Sequence, residues 1–373
     1  MVNIGGLIDM NKKIILASVV SITLMLGACS ANSNNNGASG AESKENTGFN
    51  PDKENGVLYS EINNELGAVP KVTDELNLGG VAKAFENEYW RTLKEGMEIG
   101  AEKFTSNGYK IKADVKSPQG EADEEGQLSI VRDMINKKYS GLLLSPISDS
   151  NLVPGVEEAV EDDIPVINVN DGIIAEAPHF VGPKAVENGE KVAEWVSEKI
   201  NGKGKVAIVV GMPKAFAARQ RTLGFESWIK DNAPGIEIVE KQNADWDREK
   251  AKNTAETWIK KHPDLKAIFA NNDTMALGVQ EAVNASGKDI LVMGVDGIGE
   301  AYDSIRKGEL DATIDSFPKF KGQIAVEMMI RKIGGQELPR VIWTPQALID
   351  STNVDTPAEE IIGWTEPELA QLI

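Results

Sequence analysis

From about Leu76 onward the chain repeats one unit: a short apolar run, a polar turn, then a longer segment with apolar residues every three or four positions. The runs are LNLGGVA (76–82), YKIKADV (109–115), GLLLS (141–145), PVINV (165–169) and KVAIVVG (205–211). IEIVEK (236–241), LKAIFA (265–270), ILVMGV (290–295) and LDATID (310–315) complete the series. Apolar runs of this length read as strands buried on both faces. The segments between them read as amphipathic helices. In 88–105, Leu93, Met97, Ala101 and Phe104 mark one face; in 184–200, Val186, Val192, Trp195, Val196 and Ile200 do the same. Strands alternating with helices this long force right-handed crossovers and a parallel sheet. Nine strands divide naturally into two sheets, and 373 residues suffice for two to three compact units. The expected fold class is α/β, with two similar lobes, each a parallel sheet flanked by helices.

Composition narrows the function. Thirty-nine basic against 58 acidic residues give a net charge of −19, which repels phosphate backbones and argues against a nucleic-acid partner. One cysteine excludes an internal disulfide and a cysteine-built zinc site. Two histidines, His179 and His262, leave little for histidine catalysis or a metal centre, so neither metal nor cofactor is expected.

The N-terminus reads as an address. Lys12 and Lys13 precede the uncharged run IILASVVSITLML (14–26), which is short for a bilayer span and suits a signal peptide. Leu26-Gly27-Ala28-Cys29 follows, and the junction resembles a bacterial lipoprotein signal whose cleavage leaves Cys29 lipidated. The plainer alternative is a signal peptide or a core helix with an incidental cysteine. Residues 29–72 begin with a stretch almost free of large apolar groups and are expected to form a flexible tether. Residues 366–373 are expected to be an acidic, solvated tail. Anchor, tether and water-facing body imply a protein held at the extracytoplasmic face of a bacterial membrane.

In open parallel sheets, ligands sit beyond the carboxyl ends of the strands. The residues there are Asn87, Tyr89 and Trp90 after the first run and Asn170-Asp171 after the fourth. Arg219 and Arg221, Trp246, Asn272-Asp273, Asp296-Gly297 and Asp315-Ser316 follow later runs. Amides, carboxylates and arginines beside aromatic rings suit a polyhydroxylated ligand, whose hydroxyls need donors and acceptors and whose C–H faces stack on rings. Each residue alone is as easily a helix cap or a surface charge, and Asn272 and Asp273 look like an N-cap before TMALGVQEAV. Their joint position carries the argument.

The stretches AKAFENEYWRTLKEG, AARQRTLGF, NADWDR, FANNDTMALG, VMGVDG and LDATIDSFP resemble the ribose-type, sugar-binding branch of the type I periplasmic binding proteins, over residues 74–352. These are the solute receptors of ABC importers. The resemblance implies a three-stranded hinge, with crossings near Gly182-Pro183, Ser316-Phe317 and Thr344-Pro345. It thereby implies a first lobe of 73–182 plus 317–345 and a second of 183–316 plus 346–365. It proposes Asn87, Tyr89, Trp90, Asn170, Asp171, Arg219, Trp246, Asn272, Asp296 and Ser316 as ligand-binding residues, with Arg221 free to act as a structural buttress. Tyr89 and Trp90 replace a phenylalanine pair and would add a hydroxyl and an indole N–H. Asn170-Asp171 replaces an Asp-Arg pair, and Ser316 replaces a glutamine. Ribose is therefore one candidate beside other pentoses, hexoses, inositols and linear polyols. The implied partners are an ABC permease with its ATPase subunit, met by a monomeric receptor. Asp296 and Arg219 are expected to approach the ligand from one lobe.

Two other classes fit parts of the same pattern. Asp245, Asp247, Asp296 and Asp315 could supply a glycosidase pair, but no partner motif singles out an acid, and an enzyme is not expected. A sensory receptor signalling to a membrane kinase or chemoreceptor needs the same fold and site.

Overall fold

The computed structural model describes residues 48–363. In chain order the first lobe contains β1 (Val57–Leu58), α1 (Ile62–Leu66), β2 (Glu75–Val81), α2 (Glu88–Ser106) and β3 (Lys110–Lys116). It continues with α3 (Glu124–Asn136), β4 (Gly141–Leu144), α4 (Val153–Glu161), β5 (Val166–Val169) and β6 (His179–Gly182). The second lobe takes α5 (Ala185–Lys199), β7 (Lys203–Val210), α6 (Phe216–Asn232), β8 (Gly235–Asn243) and α7 (Arg248–Lys261). After these come β9 (Leu265–Ala270), α8 (Asp273–Ser286), β10 (Leu291–Asp296), α9 (Gly299–Arg306) and β11 (Ala312–Asp315). The chain then returns to the first lobe for α10 (Pro318–Ile333) and β12 (Val341–Trp343). It crosses once more for β13 (Ala347–Asp350) and α11 (Ala358–Ile361).

The first sheet has the order β1-β12-β6-β5-β4-β2-β3 and the second β13-β11-β10-β9-β7-β8. Every pairing is parallel except β11 with β13, so helices must cover both faces of each sheet. All nine apolar runs are strands. The four strands that were not anticipated, β1, β6, β12 and β13, are two to four residues long, too short to show a period. No helix among the described residues is long and apolar enough to cross a membrane.

The expected tether to residue 72 needs correction. Cys29, residues 29–47, the signal segment and the tail 366–373 lie outside the described residues, but from Pro51 the chain is folded onto the body. Val57 and Leu58 pair with Ile342 and Trp343 as an edge strand. Tyr59 and Ile62 are buried, and the Tyr59 hydroxyl donates to Glu327 Oε2 at 2.5 Å. Arg331, fully buried, donates to Glu327 Oε1 at 2.7 Å and to the Gly67 carbonyl at 2.8 Å. The few apolar anchors in a polar stretch, Val57, Tyr59, Ile62 and Val72, bury enough surface to order it.

Candidate functional site

The carboxyl ends of both sheets face a cleft between the lobes. Lys83, Asn87, Tyr89, Trp90, Glu121, Asn170 and Asp171 line it from the first lobe, and Ala217, Arg221, Trp246, Asn272 and Asp296 from the second. The strand-end rule therefore brings Asn87, Tyr89, Trp90, Asn170, Asp171, Trp246, Asn272 and Asp296 together. Arg219 and Ser316 are not among the lining residues.

The first-lobe wall is set by the start of α2. Asn87 caps this helix, its Oδ1 accepting from the Tyr89 backbone N–H at 3.0 Å, while its Nδ2 donates to Glu121 Oε1 at 3.1 Å. The Trp90 indole N–H donates to the same oxygen at 2.9 Å. The Tyr89 and Trp90 rings meet edge to face at 5.0 Å, and Lys83 Nζ lies 5.1 Å from the centre of the Trp90 ring. Both polar handles expected to serve the ligand are thus spent on the protein, because the Tyr89 hydroxyl turns away to Asn170 and Ser316. Trp90 offers its ring, not its N–H. Lys83 and Glu121 were missed, although Lys83 follows the first apolar run directly and Glu121 sits in the turn after β3.

The second-lobe wall corrects the arginine. Arg221 is 2% exposed and Arg219 lies outside the cleft. Glycines set the rotation of α6: a Cβ on Gly189 of α5 would stand 1.9 Å from the Arg221 carbonyl, and one on Gly224 2.0 Å from that of Val186. This close approach turns Arg221 inward and Arg219 to the rim. Arg221 donates to Asp171 Oδ2 at 2.5 Å, to the Asn271 carbonyl at 2.6 Å and to Asp296 Oδ1 at 3.3 Å. It so joins carboxylates of both lobes, and its Nε has no partner among the described residues. Arg219 instead pairs with Asp149 and donates to the Pro213 carbonyl at 3.1 Å.

Asp296 ends β10 with φ at 139°, a region that non-glycine residues rarely adopt. The turn is held from below by Asp273, whose Oδ2 accepts from Gly297 N at 2.8 Å and Ile298 N at 3.1 Å. Asp296 therefore is not a helix cap and aims its carboxylate into the cleft. Asn272 caps α8, its Oδ1 accepting from Met275 N at 3.0 Å, and it also lines the cleft. Trp246 is in the left-handed region at φ 67°, its ring over Gly211, where any Cβ would strike it.

The buried acids separate by environment. Burial drives Asp296 well above the usual carboxylate range, Arg221 opposing it and Asp273 and Asp171 adding to it. Asp171 is equally buried, yet Arg221, Lys83 and Lys321 outweigh that cost and hold it below the usual range. Burial lifts Asp273 to about 6 and Asp315 to about 7. Ser316 is fully buried behind Tyr89, where its Oγ lies 3.2 Å from the phenol oxygen. Among the described residues no group of three or more His, Cys, Asp or Glu is placed to hold a metal ion. The arrangement offers amide and guanidinium donors, carboxylate acceptors and two indole faces.

The periplasmic binding protein domain profile matches residues 78–337. The ribose import binding protein of Bacillus subtilis is 34% identical over 275 residues, 74% of this chain and 87% of that protein. The D-allose-binding periplasmic protein of Escherichia coli is 32% identical over 67% of this chain and 82% of its own length. Among solved structures, an ABC transporter solute-binding protein from Actinobacillus succinogenes with bound D-allose aligns with a TM-score of 0.71 at 29% identity. That alignment covers 76% of this chain and all of the other.

Proposed function

The chain belongs to the periplasmic binding protein family, and from that premise we propose that it captures a neutral sugar or polyol between its lobes and delivers it to an ABC-type importer. The observation that carries this reading is the composition of the cleft. Asn87, Asn170, Asn272 and Arg221 bring donors, Asp171 and Asp296 bring acceptors, and Trp90 and Trp246 bring ring faces from opposite lobes. A pyranose, furanose or inositol ring presents the matching surface, with hydroxyls on its edge and C–H groups on its faces. Lys83 and Arg221 against Glu121, Asp171 and Asp296 place mixed charge in the cleft, which favours polar hydroxyls over a strongly anionic ligand.

D-Ribose and D-allose enter as candidates because two relatives of this chain carry the names ribose import binding protein and D-allose-binding periplasmic protein. The cleft departs from the ribose pattern at Asn170 and Asp171, and behind it at Ser316, so the panel extends to other pentoses, hexoses, inositols and linear polyols. In our reading the receptor works at the outer face of the cell membrane, held by a lipid on Cys29; the Leu26-Gly27-Ala28-Cys29 junction supports that anchor. Thermal shift with the panel tests the ligand class, since a ligand at 100 times its Kd adds about 2.7 kcal/mol. A response to one or a few sugars supports the proposal. A flat response to all sugars together with a response to an amino acid, a peptide or a metal ion overturns it.

A further inference from the structure

Three positions at which this chain departs from the ribose pattern, Tyr89, Asn170 and Ser316, converge on one side chain. Lys321, in the first turn of α10, is fully buried behind the cleft. Its ammonium donates to the Tyr89 phenol oxygen at 2.7 Å, to Asn170 Oδ1 at 2.7 Å and to Ser316 Oγ at 3.1 Å. An ammonium has three donors, and all three are used. The Tyr89 hydroxyl, receiving from Lys321, donates onward to Asn170 Oδ1 at 2.5 Å. Both lone pairs of that oxygen are thus occupied, and turning the amide over would set its NH2 against an ammonium and a hydroxyl proton. Asn170 Nδ2 must face the other way, where one proton goes to Asp171 Oδ1 at 2.8 Å. Its second proton meets no acceptor among the described residues, and Asn170 lines the cleft.

We propose that Lys321 is a positioning residue that decides the hydroxyl pattern read at this edge of the cleft. It locks the Asn170 amide as a donor beside Asp171 as an acceptor. One ligand hydroxyl then accepts from Asn170 and donates to Asp171. The proposal rests on the sugar-receptor reading and deepens it. The oxygen partners of Lys321 are the three positions at which this chain departs from the ribose pattern, so one cation from α10 ties the three departures together.

The charged and titratable groups facing Lys321 are Tyr89 from α2, Asp171 beyond β5, Arg221 from α6, Asp296 at the end of β10 and Asp315 at the end of β11. Burial, opposed by the three carboxylates, brings its ammonium down to about 7. Raising the pH through that value removes one of the three donors and loosens the lock. Asp315 titrates in the same range, so the test compares variants rather than reading one profile.

The side-chain amide of Asn170 is followed by 15N–1H spectroscopy of the full chain, assigned through its disappearance in Asn170→Ser. In the wild type this pair exchanges slowly and shifts with a midpoint near neutral pH. In Lys321→Met the midpoint vanishes and exchange quickens at least about tenfold. Tyr89→Phe, which keeps the ring and Lys321, gives a partial effect and serves if Lys321→Met does not fold. Asn170 signals that match the wild type in the folded variants overturn the lock. Calorimetry with D-ribose, D-allose and myo-inositol reads its consequence. Lys321→Met changes the ratio of affinities for at least two of them by about tenfold, whereas a uniform loss or no change assigns Lys321 a merely structural role and overturns the proposal. If none of the three binds the wild type, the sugar reading fails for them while the Asn170 spectra still decide the lock.

Discussion

A guanidinium that is 2% exposed survives in a fold only where its charge is answered, and Arg221 is answered from both lobes by Asp171 and Asp296. Arg221→Ala would leave two buried carboxylates without their partner. A loss of about 3–5 kcal/mol of stability is expected, and sugar affinity should fall at least about tenfold. Arg219→Ala breaks a half-exposed pair worth about 1 kcal/mol or less, so affinity should change no more than about fivefold. Thermal unfolding and calorimetry on both variants check the contrast, and equal losses would return Arg219 to the cleft. The pair also shows how far this site was legible. Two residues along a helix turn the side chain by roughly 200°, so only one arginine of AARQR can face inward. The apolar pattern could not say which, because Leu223 is exposed while Thr222 is buried. Asn87, Trp246 and Asp296 were legible because the strand-end rule needs only their place in the chain. Lys83 and Glu121 obey that rule too, but an isolated charge carries no local sign that separates a cleft position from solvated surface. Lys321, in PKFKG, reads as part of an exposed first turn, and nothing local announces its burial.

At the level of elements, the polar stretch before β2 hides a fastening that the sequence pattern does not reveal. Lys184 caps α5 without a side-chain bond, and the missing acceptors arrive from far upstream. Asp52 Oδ1 accepts from Ala185 N at 3.1 Å and Oδ2 from Val186 N at 3.2 Å, just after the first crossing of the hinge. A carboxylate is favoured at a helix N-terminus, yet burial lifts Asp52 to about 6. The sign follows from linkage. Between the ordinary value near 4 and 6 the folded chain holds a proton that the unfolded chain has lost, so this group's contribution to stability falls as pH rises through that window. Asp52→Asn cannot titrate. Its melting temperature should therefore gain on that of the wild type from pH 4 to pH 6 and stay parallel above it. A constant difference across that window would remove Asp52 from the buried cap. The nine expected strands were legible because each carries an apolar run that alternates with a longer helical segment. This polar stretch and the short strands β6, β12 and β13 were not, because four scattered anchors among polar residues, or runs of three or four residues, carry no period.

Across the whole molecule the two lobes are also tied at the rim of the cleft. Lys214 pairs with Glu124 and Arg219 with Asp149, and Gly299 N donates to Glu88 Oε1 at 3.0 Å. Each tie joins the second lobe to the first across the rim, so any parting of the lobes there breaks it, and together they favour the shut arrangement that a ligand must complete. The side chains of both ion pairs are between 25% and 41% exposed, which limits each to about 0.2–1 kcal/mol and leaves it open to screening. A neutral sugar carries no charge of its own to screen. Any salt dependence of its affinity then reports the protein's closure rather than the contact with the ligand. Wild-type affinity should weaken by about fivefold between low salt and 1 M, where the screening length is about 3 Å. The double variant Glu124→Gln, Asp149→Asn should bind about fivefold more weakly than wild type at low salt, and its affinity should not depend on salt. Small-angle scattering of the variant without sugar should show a larger radius of gyration, because more of the population stands open. A variant that keeps the wild-type salt slope would place the electrostatic part of closure in the buried bridge of Arg221 and Asp171, and the rim ties would then be incidental surface pairs.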